Sequence, residues 1–167
     1  GVAADSIVTC NKVAFRENIL FTHMGLSGPA ALQASLYWYK DNPIQINFIP
    51  KLAKDKLEKW FVDCKKQGSK SEMKTLLREW LPARLADKLC ELELPEKANI
   101  HTMQDKKIKD FCDKIQKYEL TPESTVRYSK AEVTRGGCNT DDLSSRTMEC
   151  KKVPGLYFIG EVVDVTG

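Results

Sequence analysis

Ile44-Gln45-Ile46-Asn47-Phe48-Ile49 alternates apolar and polar residues, the period of a strand with one face buried, and from Lys51 the spacing changes. Leu57, Trp60, Phe61 and Cys64 fall at i, i+3, i+4 and i+7, one apolar stripe on a helix, with Gly68 as its stop. The change of period divides the chain. Upstream, Ser6–Cys10 and Asn18–Thr22 read as strands, and Ser27–Leu36 as a helix with Ser27 as its cap and Pro29 in its first turn. Downstream, Ser69 and Glu72 have the spacing of a capping box before Met73, Leu76, Leu77 and Trp80. Pro82 restarts a helix with Leu85, Leu89 and Leu92 inward, ended by Pro95. A last helix over Thr102–Tyr118 aligns Ile108, Phe111, Cys112 and Ile115.

Beyond Thr121 the strand period returns, in Ser124–Tyr128 and Ala131–Thr134, then in a short Thr147–Cys150 strand. The run Leu156-Tyr157-Phe158-Ile159 reads as a buried strand entering Gly160-Glu161. Strands, then four amphipathic helices, then strands again imply an α+β chain. Its small β unit is interrupted by an antiparallel helical bundle, since each apolar stripe needs a partner. The expected parts are residues 1–50 and 121–137 for the β unit, 51–120 for the bundle, and 138–167 for a further segment.

Composition bounds little: 167 residues, 42% hydrophobic and 29% charged, describe an ordinary soluble domain. The net charge is only +3, but 17 basic and 12 acidic residues between Lys51 and Tyr118 give that stretch +5 and leave −2 elsewhere. A solvated charged face accounts for those lysines better than nucleic acid does, and the aromatics Trp60, Phe61, Trp80 and Phe111 sit on apolar stripes. Cys10, Cys64, Cys90, Cys112, Cys138 and Cys150 are widely spaced, without CxxC, and read as free thiols of a reducing cytoplasm. His23 and His101 lie far from paired cysteines, so no metal site is expected. No apolar run reaches membrane-spanning length and no signal peptide opens the chain.

Two stretches carry candidate chemistry. A glycine followed by a carboxylate at a strand's carboxyl end, as at Gly160-Glu161, lets backbone and acid reach a bound cofactor; Asp164 is a second acceptor. A strand end with two solvated acids is the plain alternative. Thr22 to Pro29 is a glycine-containing loop opening a helix, with His23 beside it as a proton donor and Ser27 either facing substrate or merely capping.

Phe21-Thr22-His23-Met24-Gly25-Leu26-Ser27-Gly28-Pro29-Ala30, Ala131-Glu132-Val133-Thr134-Arg135-Gly136-Gly137 with Thr147-Met148-Glu149, and Gly155–Asp164 together resemble the YhiN/BaiN-type conserved flavoproteins, in order and in spacing. The resemblance implies an FAD-dependent oxidoreductase, with NAD(P)H as electron donor, whose Rossmann-like FAD domain carries a β-barrel-like insert with a helical bundle. On that reading the chain is the insert plus returning strands of a truncated FAD domain, inactive alone. Its partners would be the rest of that domain and a small-molecule substrate, to or from which flavin passes a hydride. Gly160, Glu161, Asp164, Thr134, Gly136 and Gly137 would hold the cofactor, with Thr22, His23 and Ser27 facing substrate. The two glycines also fit a tight turn or bulge. Cys138, Cys150 and Thr166 stand where the family usually has valine, serine and aspartate. Two other functions stay open: a bundle that binds a protein or nucleic acid, and a non-catalytic lid that shapes substrate access.

Overall fold

The alternation at Ile44 becomes a strand in the computed structural model, which describes residues 1–126 and 130–165. Two units divide the chain, Gly1–Ser124 and Thr125–Gly167. In the first, β1 (Val2–Cys10), β2 (Val13–Thr22), β3 (Gly25–Ser27), β4 (Ile44–Asn47) and β5 (Tyr118–Leu120) form one antiparallel sheet in the order β3-β2-β1-β4-β5. Helix α1 (Pro29–Ser35) packs on β1 and β2. Between β4 and β5 come α2 (Lys56–Lys66), α3 (Met73–Leu77), α4 (Ala83–Glu93) and α5 (Asp105–Gln116).

Alternation explains β1: Ala4, Ser6, Val8 and Cys10 face inward while their neighbours do not. Ser6 is a fully buried hydroxyl, and it donates to the Glu17 carbonyl at 3.2 Å, so its burial leaves no unmet donor. Asn11 and Lys12, both at positive φ (46° and 70°), make the two-residue turn into β2 that fixes the Cys10–Val13 register. Ile44 and Ile46 face the core from β4, as the alternation predicts.

The helical stripes also hold. Leu57 and Phe61 are buried from α2, and Ile108, Phe111, Cys112 and Ile115 from α5, against which α2 packs. Each such side chain contributes about 1.5–3 kcal/mol of apolar transfer. Gly68 (φ 82°) ends α2, its N–H reaching the Lys65 carbonyl while the Ser69 N–H reaches that of Cys64, a Schellman closure. The α3–α4 joint is clamped by Arg78, whose Nε and Nη2 donate to both carboxylate oxygens of Asp87 at 2.7 Å. Sheet and helices share one core.

Several expectations need correction. Ser27 does not cap α1; it pairs with Leu20 in the sheet, and Gly28 occupies the cap at φ 85°. A Cβ there would stand 2.8 Å from the Asn18 carbonyl, so the helix sits too close to β2 for any larger residue. The Ser69/Glu72 box does not form: α3 begins at Met73, and the Ser69 hydroxyl accepts from the Ser71 N–H. Leu92 is 56% exposed rather than inward. The returning strand is Tyr118–Leu120, within the 51–120 stretch expected as helical bundle, and it pairs with β4 through Ile44–Leu120 and Ile46–Tyr118. Residues 121–126 and 131–137 hold no strand, and Arg127 and Tyr128 of the expected 124–128 strand lie outside the described residues.

The second unit is built from turns rather than ladders. Single bridges join Cys138 to Val163, Leu143 to Cys150 and Glu149 to Tyr157. Leu143 and Val163 are its buried apolar side chains. The Leu156–Ile159 run is therefore not a buried strand: Ile159 is 75% exposed, and Gly160–Val162 is a turn of 3-10 helix. A strand needs neighbours along its length, and here the run has one bridge. Thr166 lies outside the described residues. No described helix is long and apolar enough to cross a membrane.

Candidate functional site

Gly137 and Val162 are where the two expected cofactor segments meet. The Cys138 N–H donates to the Val162 carbonyl at 2.7 Å, and the Asp164 N–H to the Cys138 carbonyl at 2.9 Å, a parallel bridge. A Cβ on Gly137 would fall 2.5 Å from the Val162 carbonyl oxygen, so nothing but glycine allows that approach. Gly136-Gly137 and Gly160–Asp164 are thus side by side, although their separation in sequence gives no local sign of it. Val163 anchors the pair by being buried, 2% exposed.

Around that bridge the residues are open. Gly136 (φ 83°) and Gly160 (φ 78°) have nothing within 4 Å of where a Cβ would stand. Thr134, Glu161 and Asp164 are exposed, and neither carboxylate is in an ion pair among the described residues. Two bare backbone positions beside two available carboxylates suit a polyhydroxylated ligand approached by main chain and gripped by acceptors. The residues present therefore fit the hydroxylated ribityl chain of FAD.

The support beneath them comes from residues 138–158. Asn139 Oδ1 accepts from the Asp141 N–H, opening a short turn at Thr140–Asp142. Lys152 pairs with Asp142 at 2.8 Å, Lys151 Nζ reaches the Asp141 carbonyl at 2.9 Å, and the Glu149 carboxylate accepts from the Gly155 N–H at 2.7 Å. Glu149 is thus occupied holding a turn.

In the first unit, Thr22, His23 and Ser27 belong to the tight β2–β3 hairpin. Thr22 Oγ1 accepts from the Met24 N–H and donates to the Gly25 carbonyl, while Ser27 sits in the ladder; His23 is exposed at the tip. The hairpin accounts for Thr22 and Ser27 without a ligand. No thiol of the bundle is poised as a nucleophile: burial pushes Cys90 and Cys112 up to about 12. All six cysteines are free, and no group of three or more metal-ligating side chains assembles among the described residues.

Sequence reading missed the Cys138–Val163 bridge, for which no local signal exists. It also passed over Tyr37-Trp38-Tyr39-Lys40, an aromatic run between α1 and β4 that no periodicity marks.

Residues 1–133 match the family described as HI0933-like protein barrel and H2TH domain, which corresponds to the sheet and inserted helices. Among curated proteins, the ribosomal RNA dihydrouridine synthase of Escherichia coli is 42% identical over 168 residues, covering 100% of this chain and 41% of its own length. The Haemophilus influenzae protein of the same name is 40% identical, covering 95% of this chain and 38% of itself. A 3-dehydro-bile acid delta(4,6)-reductase of Clostridium scindens is 26% identical over 153 residues, covering 87% and 37%. The chain spans about two-fifths of the length of these relatives. With the match running through the sheet, the helices and the following loop, the chain belongs to the HI0933-like family.

Proposed function

We propose that this chain is part of an FAD-dependent reductase that saturates a carbon–carbon double bond, and that its substrate is a uridine within RNA. The observation that carries the cofactor assignment is the bridge that sets Gly136-Gly137 beside Gly160–Asp164. Glu161 and Asp164 would accept hydrogen bonds from ribityl hydroxyls, and the backbone at Gly136 and Gly160 would admit the cofactor closely; Thr134 adds a hydroxyl beside them. When bound and reduced, FAD supplies a hydride to one carbon of the double bond, the other carbon taking a proton, with NAD(P)H as the source of electrons.

The substrate class draws on two kinds of support. Two relatives at 40% identity or more are named for ribosomal RNA, and residues 51–118 carry net +5, which favours a polyanion. Both displace the small-molecule expectation as first choice and bring the nucleic-acid alternative forward. The second reading, a small apolar enone, keeps one support, the 26% relative named as a bile-acid reductase. Both names describe reduction of a double bond conjugated to a carbonyl, so the chemistry is shared and the substrate alone differs.

The test uses the full-length protein. Purified with FAD and supplied with NADPH or NADH, it should convert uridine in unmodified ribosomal RNA to the dihydro form, read as a two-hydrogen mass gain in the nucleoside. Glu161→Ala should release flavin on desalting. Flavin retained at the unsubstituted level would remove Glu161 from the site, and turnover of a steroid enone with none of RNA would exchange the substrate assignment.

A further inference from the structure

The loop between α1 and β4, Leu36–Pro43, has no part in the flavin reading. Tyr37 and Tyr39 are 40% and 55% exposed, whereas Trp38 between them turns inward against the core and donates its Nε1–H to the Asn42 carbonyl at 2.7 Å. Tyr37 lies in the turn that continues α1, its N–H on the Ala34 carbonyl, and Tyr39 opens the next turn, its carbonyl accepting from the Asn42 N–H at 3.0 Å. The segment is held in place. Asn11, in the β1–β2 turn, donates to the Tyr37 carbonyl, and Asn42 Nδ2 donates back to Asn11 Oδ1 at 3.1 Å. Phe15 supports the Tyr37 ring from β2, with centroids 5.5 Å apart. The aromatic surface is therefore presented without further ordering, which lowers the entropic cost of binding.

Charge completes the arrangement. Lys40 follows Tyr39, and Lys12 follows Asn11 in the turn bound to the loop; both are exposed, and neither is in an ion pair among the described residues. Asp41 is the single carboxylate of the loop. Two exposed aromatic rings, one of them backed by Phe15, beside two lysines outside any described ion pair suit unpaired bases and their phosphates, because every base has a stacking face and each phosphate takes a cation.

We propose that Tyr37 and Tyr39, with Lys12 and Lys40, form a stacking site for an unpaired stretch of RNA, built from none of the residues assigned to flavin. The proposal rests on the RNA reading of the substrate and specifies what part of an RNA the β unit holds: single-stranded nucleotides, not a duplex.

Binding of a fluorescein-labelled, uridine-rich RNA strand to the full chain, measured as anisotropy with the strand single and annealed, tests it. Tyr37→Ala and Tyr39→Ala should each weaken single-strand binding about ten-fold, the usual scale of one base stack, and leave the duplex unaffected. Tyr37→Phe should keep the affinity. Lys12→Gln and Lys40→Gln should each flatten the slope of log affinity against log salt by roughly 0.7. Tyr39→Ala spares the Phe15–Tyr37 contact, so it answers even if Tyr37→Ala unfolds the loop. Single-strand binding that survives both alanine variants overturns the stacking site and leaves the RNA reductase standing. No RNA binding by the unsubstituted chain overturns both. Self-association of the chain that either alanine variant abolishes would assign the surface to a second copy and end the proposal.

Discussion

Residues 1–124 gather most of their large apolar side chains into one core, whereas the described residues of the second unit show most of theirs to solvent. Phe61, Ile19, Ile46, Leu57 and Leu77 are at 0% exposure in the first unit, within one core shared by sheet and helices. In the second, Val153, Leu156, Tyr157, Ile159, Val162 and Val165 are all more than 40% exposed, and among the described residues Leu143 and Val163 are its buried hydrophobic side chains. The first unit is stable by burial. The second is held by turns, bridges and charge-assisted hydrogen bonds, a form of order that fixes local backbone but supplies little apolar transfer. The difference places the apolar packing in one unit and the candidate ligand-binding glycines and carboxylates in the other.

Four substitutions sharpen or break the contrast. Phe61→Ala should cost about 3–5 kcal/mol, the usual cavity penalty, read as a lower urea midpoint of the cooperative transition. A cost under about 1 kcal/mol would mean the first unit's core is not what holds it. Gly137→Ala should cost about 1–3 kcal/mol by overpacking, because its Cβ meets the Val162 carbonyl at 2.5 Å. That loss should appear as weaker flavin retention in the full-length protein, with the urea midpoint of the first unit unmoved. If instead both move together, the two units are one cooperative block.

Smaller effects come from charge. The Arg78 guanidinium holds the Asp87 carboxyl below its usual value, first through its hydrogen bonds and then through its charge, against the opposing effect of burial. A depressed folded value means that the pair's contribution is present above the unfolded carboxylate's range and lost as pH falls through the lower folded value. Both side chains are about two-fifths exposed, at 41% and 42%, so solvent screening limits the effect to about 0.2–1 kcal/mol. Asp87→Asn should lower the neutral-pH midpoint by that amount and flatten its decline on acidification; an unchanged pH profile would remove the pair from the stability of the α3–α4 joint. Ile159→Ser, at a position 75% exposed, should move the chain's unfolding by no more than about 0.5 kcal/mol. A larger loss would show that the run is buried after all.

The same contrast separates what sequence reveals from what it conceals. Stripes such as Ile108, Phe111, Cys112 and Ile115 are legible because a helix repeats its own geometry, and burial of one face follows from spacing alone. β1 is legible only by the β-rich composition of Ser6–Cys10, since Ser6 faces inward and Ile7 does not. Tyr118–Leu120 is not, since three residues are too few to show a period and its identity as a strand comes from β4. Leu156–Ile159 misleads in the opposite direction: its composition suits a buried strand, but composition carries no neighbours. At the candidate site, Gly160, Glu161 and Asp164 are recognisable as a glycine followed by acids, and Gly136-Gly137 as a permissive turn. Their adjacency rests on Val162 accepting from Cys138, a contact set by tertiary structure. Tyr37 and Tyr39 escape notice because loop residues have no period at all.

The insertion of α2 through α5 between adjacent antiparallel strands bears on the order of folding. Asn47 and Tyr118 end and begin neighbouring strands, yet the chain between them runs from residue 48 to 117. As a flexible loop, that stretch would make β4–β5 pairing a slow, non-local event. Once α5 has docked, the Ile115 carbonyl accepts from the Phe48 N–H and the two strand ends are already side by side. Helix assembly therefore serves as the turn of a hairpin whose loop is a folded body, and the sheet's last strand closes only after it.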